Sequence, residues 1–216
     1  MKTFSSILLL SILLLVSTKL SSNNFLVNGR GQLRTEFRKT TPFLKIDSRI
    51  KADIKIIKSK IRNISITAQE NIVPLIDVTE RNGILVISTG GYEFTSDSTI
   101  NITIYVPVID EICLSGSGTI YSECPAGRIK IPGNGVISCI GNTTQVSIEI
   151  SGNGQTNLQA MKLKNCLVNI TGNGIVHINA SNKLEILIPG EGTVYYSGNP
   201  EIRSSITGDG QVIAKK

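Results

Sequence analysis

One histidine, four cysteines and a thin scatter of carboxylates are what the C-terminal half of this chain offers for catalysis. His177 would need a nucleophile and an orienting acid to act as a general base, and no such constellation can be assembled around it. Thiolate metal sites call for pairs at Cys-x-x-Cys spacing, whereas Cys113, Cys124, Cys139 and Cys166 are 11, 15 and 27 residues apart. Cleaving a polysaccharide calls for clustered acids. Beyond residue 111 the sole aspartate is Asp209, and Glu123, Glu149, Glu185, Glu191 and Glu201 fall at different positions of the repeat described below. No catalytic residue, metal ligand or cofactor-binding residue is therefore assigned.

Binding chemistry is better supplied. Residues 30–70 hold eleven Lys or Arg against four Asp or Glu, a net of +7, while residues 71–216 carry a net of −3. In RIKADIKIIKSKIR, the cations Arg49, Lys51, Lys55, Lys58, Lys60 and Arg62 alternate with Ile50, Ile54, Ile56 and Ile61, so one face of a strand is apolar and the other basic. Such a face either discourages edge-to-edge association or presents a fixed row of charge to an anionic polymer. A second candidate is a strip of Tyr121, Asn157, His177 and Tyr195, which share one outward position of the repeat.

That repeat must position them. Gly-x-Gly pairs begin at Gly116, Gly133, Gly152, Gly172, Gly190 and Gly208, at spacings of 17, 19, 20, 18 and 18. Four and two residues before each pair, eleven of twelve positions are Ile, Leu or Val, Ser204 being the exception, and four after it the pattern is again mostly β-branched. Period-two alternation on both sides of a glycine pair means strand, bend, strand with one face buried. A unit of 17–20 residues cannot bury that face alone, so successive units stack in parallel register, about 4.8 Å apart. The expected fold is all-β: a right-handed, single-stranded parallel β-helix, or β-solenoid, with glycine corners. Glycine suits a corner through positive φ and through close passage of neighbouring coils. A nucleotide loop would need a helix after the pair, and no helical period follows. A calcium-binding roll would need regular aspartates, whereas the central residues are Ser117, Asn134, Asn153, Asn173, Glu191 and Asp209. Five residues before the glycine, Glu111 precedes Arg128 and Glu185 precedes Arg203, as cross-strand pairs that hold register. Cys124, Cys139 and Cys166 have inward parity, as small buried apolar groups. Cys124 with Cys139 is the best-placed pair if a disulfide forms.

Lys2 and the apolar run Ile7–Val16 read as a signal peptide over residues 1–22, with an uncleaved anchor as the alternative. A short linker, 23–29, leads into one domain, 30–216, with irregular, longer coils over 30–110 and regular ones over 111–213. Asn82-Gly83 between two apolar runs signals a hairpin. The alternating N-terminal strands, the segment ITAQENIVPLIDVTERNGILVIS, the strand INITIYVP and the run LSGSGTI with its repeated glycine pairs resemble the DUF2807 family, described as an auto-transporter adhesin head domain. The resemblance covers about residues 30–213. It implies an extracytoplasmic bacterial β-solenoid, and it brings no catalytic residues.

The resulting expectation is a non-enzymatic cell-envelope or surface protein, an adhesin-like scaffold that displays ligand-binding residues. The alternative is a carbohydrate-active β-helix enzyme, a lyase or hydrolase. The expected partner is an anionic surface polysaccharide or another envelope protein. Nucleic acid is not expected: the basic segment lacks interleaved aromatics, and the leader directs the chain out of the cytoplasm.

Overall fold

The computed structural model describes residues 25–215. The expected signal peptide, residues 1–22, and its anchor alternative lie outside the described residues. Among those described there is no α-helix, and no helix is long and apolar enough to cross a membrane. The first half forms β1 (Phe25–Asn28), β2 (Leu33–Arg38), β3 (Lys45–Ser48), β4 (Ala52–Lys58), β5 (Asn63–Gln69), β6 (Asp77–Arg81), β7 (Ile84–Ser88), β8 (Tyr92–Thr95) and β9 (Asn101–Val106). The second half forms β10 (Glu111–Leu114), β11 (Gly118–Ser122), β12 (Arg128–Ile131), β13 (Val136–Cys139), β14 (Gly141–Ile150), β15 (Gln155–Ile170), β16 (Ile175–Ile188), β17 (Thr193–Ser197), β18 (Glu201–Ile206) and β19 (Gln211–Ala214). β1 pairs only with β8, and the other 17 strands make one large mixed sheet.

The glycine repeat produces two parallel ladders. Strands before each glycine pair stack β10, β12, β14, β15, β16, β18, and strands after it stack β11, β13, β15, β16, β17, β19. Because the register matches equivalent residues, like side chains form columns. One inward column runs Leu85, Ile46, Ile112, Ile129, Ile148, Val168, Ile186, all buried, to the exposed Ser204. Each fully buried Ile contributes roughly 1.5–3 kcal/mol of transfer free energy. The facing ladder contributes Ile102, Ile54, Ile120, Ile137, Thr156, Val176 and Val194.

Thr156 is fully buried and its hydroxyl has no hydrogen-bond partner. Its shape is that of the Val that follows it in the column, but its oxygen has lost water without replacement. Thr156→Val should therefore raise stability by about 1 kcal/mol, read as a higher urea midpoint at unchanged m-value. A lower midpoint would show that the hydroxyl is satisfied.

The glycine corners depart from one expectation. Of the twelve pair glycines, only Gly118 has positive φ. The others are glycine because the neighbouring unit leaves no room for a Cβ: one built on Gly152 would sit 2.1 Å from the carbonyl oxygen of Gly133, and one on Gly174 would sit 2.7 Å from Ile150 Cγ2. The residue between the glycines also stacks, since Asn153 Nδ2 donates to Asn134 Oδ1 at 3.0 Å and Asn173 Nδ2 donates to Asn153 Oδ1 at 3.1 Å. Across the preceding strands, Arg128 Nη1 lies 3.2 Å from Glu111 Oε2. Glu185 and Arg203 are opposed in register, but their nearest ion-pair partners are Lys183 and Glu201.

The first half continues both ladders in parallel and then adds antiparallel strands. β3 and β4 stack on β10 and β11, and β7 and β9 stack on the other side of β3 and β4. β5 then pairs antiparallel with β9, β2 with β5, and β6 with β7. The β6–β7 hairpin turns at Asn82 and Gly83 with φ of 53° and 77°, as a two-residue turn with both residues left-handed requires. The last strands at this end, β2 and β6, carry Arg34, Glu36, Arg38 and Glu80 at inward positions, in keeping with the polar outer face that a terminal unit needs. On the edge strand β2, Arg38 lies half-buried at the end of the core. It pairs with Glu36 at 2.8 Å and donates to the carbonyls of Val73 and Ile76 in and after the short 3₁₀ turn Val73–Leu75. Residues 23–29 are not simply a linker, since they include β1, which pairs with β8.

Candidate functional site

The sheet built on the second ladder presents one continuous outward column. In register, it runs Phe37, Ser65, Thr103, Lys55, Tyr121, Ser138, Asn157, His177, Tyr195, Ile213. Tyr121, Asn157, His177 and Tyr195 thus fall in one line, and Lys55 joins them, its Nζ 5.9 Å from the Tyr121 ring centroid. Two residues along each strand lies a second outward column, Thr35, Thr67, Asn101, Asp53, Thr119, Val136, Gln155, Ile175, Thr193, Gln211. Its hydroxyls are ordered by neighbours, with Thr35 and Thr67 2.8 Å apart and Thr119 donating to Asp53 at 2.7 Å.

Toward the C-terminal end the column is tied down. The rings of His177 and Tyr195 stack at 4.8 Å and 8°, within the separation that aromatic pairs favour. Lys215 Nζ lies 4.7 Å from the Tyr195 centroid and donates to His177 Nδ1 at 3.3 Å. Burial, and then the Lys215 charge, hold the His177 imidazolium below its usual pKa, which suits a neutral ring accepting from an ammonium. The stack covers one face of each ring, and Lys215 lies over the Tyr195 ring. Tyr121, 37% exposed, is the accessible aromatic of the strip.

The basic segment does not form one straight row. Arg49 and Lys51 precede β4 at the corner, Lys55 stands mid-strand, Lys58 ends the strand, and Lys60 and Arg62 lie in the link to β5. Ile61, expected to face inward, is 75% exposed because it falls in that link, where period-two alternation has ended. Arg49 is neutralised by Asp47 at 2.7 Å. Among the described residues, Lys51, Lys55, Lys58, Lys60 and Arg62 make no ion pair.

Arg49 and Lys51 also border a cleft of about 680 Å³. Its lining also includes Asp53, Tyr92, Glu93, Phe94, Asp97 and Gly118. Ser96 shapes the loop after β8: its hydroxyl oxygen lies 2.7 Å from both Gln69 Oε1 and the Ser98 carbonyl and accepts from the Ser98 N–H at 3.0 Å. At Gly118, φ is +113° and a Cβ would lie 2.2 Å from the Ala52 carbonyl oxygen, so a side chain is excluded there. The cleft was not read from the sequence. Its available signal was the run TGGYEFTSDST, in which Gly90 and Gly91 both take positive φ before a Tyr-x-Phe pair.

All four cysteines are free, so the Cys124–Cys139 bridge is not formed in this structure. The register explains why: Cys139 lies opposite Ser122, and Cys124 is two residues past the end of that pairing. Burial pushes the Cys139 and Cys166 thiols up to about 12. This surface thus brings together cations, hydroxyls, amides and one accessible aromatic, Tyr121.

Family models place the chain among known proteins, matching over residues 42–127 and 123–200 to DUF2807, "Putative auto-transporter adhesin, head GIN domain". The chain belongs to the DUF2807 family. No curated protein matches it. Among solved structures, this DUF2807 chain is similar to a "putative adhesin" from Bacteroides fragilis NCTC 9343, with a TM-score of 0.70 at 19% identity over 88% of this chain and 100% of that one. It is also similar to putative adhesins from Parabacteroides distasonis ATCC 8503 (TM-score 0.56, 17% identity, 88% and 100% coverage) and Parabacteroides merdae ATCC 43184 (0.53, 19%, 89% and 100%). At such identities the likeness concerns the fold alone.

Proposed function

We propose that this DUF2807 protein is a non-enzymatic, extracytoplasmic envelope or surface protein whose strands wind as a right-handed β-solenoid, displaying one face to an anionic polysaccharide. The parallel ladders, in register at 17–20 residue intervals, support the winding. The family's adhesin description supports the location and the class. The observation that carries the ligand is the set of cations without acidic partners, Lys51, Lys55, Lys58, Lys60 and Arg62, on and beside a rigid strand, with Lys55 in line with the Tyr121–Tyr195 strip. Fixed positive charges beside hydroxyls and amides match a polymer that carries carboxylates or sulfates among sugar hydroxyls.

Binding to polygalacturonate, with dextran as the neutral comparison, tests this. Affinity should fall steeply as salt rises from low to physiological ionic strength. Lys51→Glu with Lys55→Glu should weaken binding about tenfold or more with an unchanged circular dichroism spectrum. Salt-independent binding, equal binding to dextran, or an unaffected double variant would overturn the ligand assignment.

A further inference from the structure

The two ends of the stacked sheet are finished differently. At one end, the ladder that contains β18 terminates in β6, whose inward positions are Val78 and Glu80, and the other ladder terminates in β2, whose inward positions are Arg34, Glu36 and Arg38. Inward-pointing charge is a device that bars the addition of another strand. At the far end, β18 pairs with β16 along one edge, and its other edge has no partner among the described residues. Its inward positions are Ile202, Ser204 and Ile206, opposite Leu184, Ile186 and Ile188. Those three are buried, whereas Ile202 and Ile206 are 38% and 40% exposed. This edge carries no inward charge and presents a row of backbone donors and acceptors beside apolar side chains, which is a template for strand pairing.

We infer that the β18 edge is the docking surface for a second copy of this chain, joined antiparallel to its own β18 about a two-fold axis. A head-to-tail copy would bring β6, with Glu80 at an inward position, against this edge, and β2 against β19, so the edge of a copy that fits is the same edge. Side chains directly opposite in an antiparallel pair share a face, which permits pairing of equivalent strands only when a residue sits on the axis. Centring on Arg203 opposes two like charges, which is unfavourable. Centring on Ile202 sets Ser204 against Pro200, which has no N–H for the ladder. Centring on Ser204 sets Ile202 against Ile206 of the second copy, twice, and brings the two Ser204 hydroxyls together. This accounts for the one polar residue in a column otherwise made of Ile, Leu and Val: a serine facing its own copy gains a hydrogen-bond partner.

Light scattering after size exclusion should give twice the mass of the chain used, and dissociation on dilution. Ser204→Lys, which places a charge at the centre of the seam, should give a monomer with an unchanged circular dichroism spectrum. Ser204→Cys should cross-link the dimer on mild oxidation, because opposed Cα atoms about 5 Å apart suit a disulfide. Ser205→Cys, which points outward and faces Arg203, should not. A monomer at all concentrations, assemblies longer than a dimer, or equal cross-linking of both cysteine variants would overturn the inference. Polysaccharide binding by the Ser204→Lys monomer reads the ligand proposal separately.

Discussion

Gly172→Val should destabilise the protein by about 3 kcal/mol or more, or prevent folding altogether. A Cβ at this position would sit 2.2 Å from the Gly152 carbonyl oxygen and 2.6 Å from that of Ser151. Both neighbours are backbone, held by their own ladder bonds, so the clash cannot be relieved by turning a side chain. The same contact recurs down the column at Gly133, Gly152, Gly190 and Gly208, and a shift at one corner would disturb the units on both sides. Gly127→Ala is the comparison: its Cβ meets nothing closer than 3.8 Å, and its φ is not left-handed. It should change stability by less than about 0.5 kcal/mol. Urea unfolding of both variants checks this, and a Gly172→Val protein as stable as the parent would show that the corner is loose.

Raising the pH above 9 should destabilise the fold through two buried thiols. Cys139 and Cys166 have folded pKa values near 12 against an ordinary 9.0, with burial the main cause in each. The folded state therefore keeps protons that the unfolded chain releases. Stability from this source is fully present below pH 9 and is lost as pH rises toward 12, by about 1.4 kcal/mol per pH unit for each thiol. Between pH 9 and 11 the loss should be about 2–3 kcal/mol per thiol. A Cys139→Ala, Cys166→Ala double variant should start less stable because it leaves cavities, yet show a distinctly shallower fall with pH. Parallel stability profiles for the two proteins would refute this account.

Much of the second half was legible in the sequence because what defines it is local. Parity along a strand has period two, so the inward placement of Ile112, Ile129 and Ile148, the burial of Cys124, Cys139 and Cys166, and the alignment of Tyr121, Asn157, His177 and Tyr195 all follow from counting residues from a glycine. The Glu111–Arg128 pair followed in the same way. The tight turn at Asn82 and Gly83 was legible because only a few residue types accept left-handed φ. Counting failed where the repeat did. Ile61 lies between strands and is exposed, and Lys215, beyond the last glycine pair, folds back on His177 and Tyr195 through contacts that no periodicity announces.

By itself the sequence determined the unit: its length, its strands, which side chains face in, and why glycine and asparagine recur at its corners. These depend on backbone geometry and on neighbours a fixed number of residues away. Tertiary structure alone decided how the stack is assembled and finished. It set β3 and β4 between β7, β9 and β10, β11, although Lys45 and Glu111 are 66 residues apart. It made the antiparallel closure by β2, β5 and β6, opened the cleft beside Arg49 and Lys51, and left β18 as an edge. Which strand edges meet depends on the loop-closure cost and on the burial each arrangement achieves over the whole chain, and no local pattern records that competition.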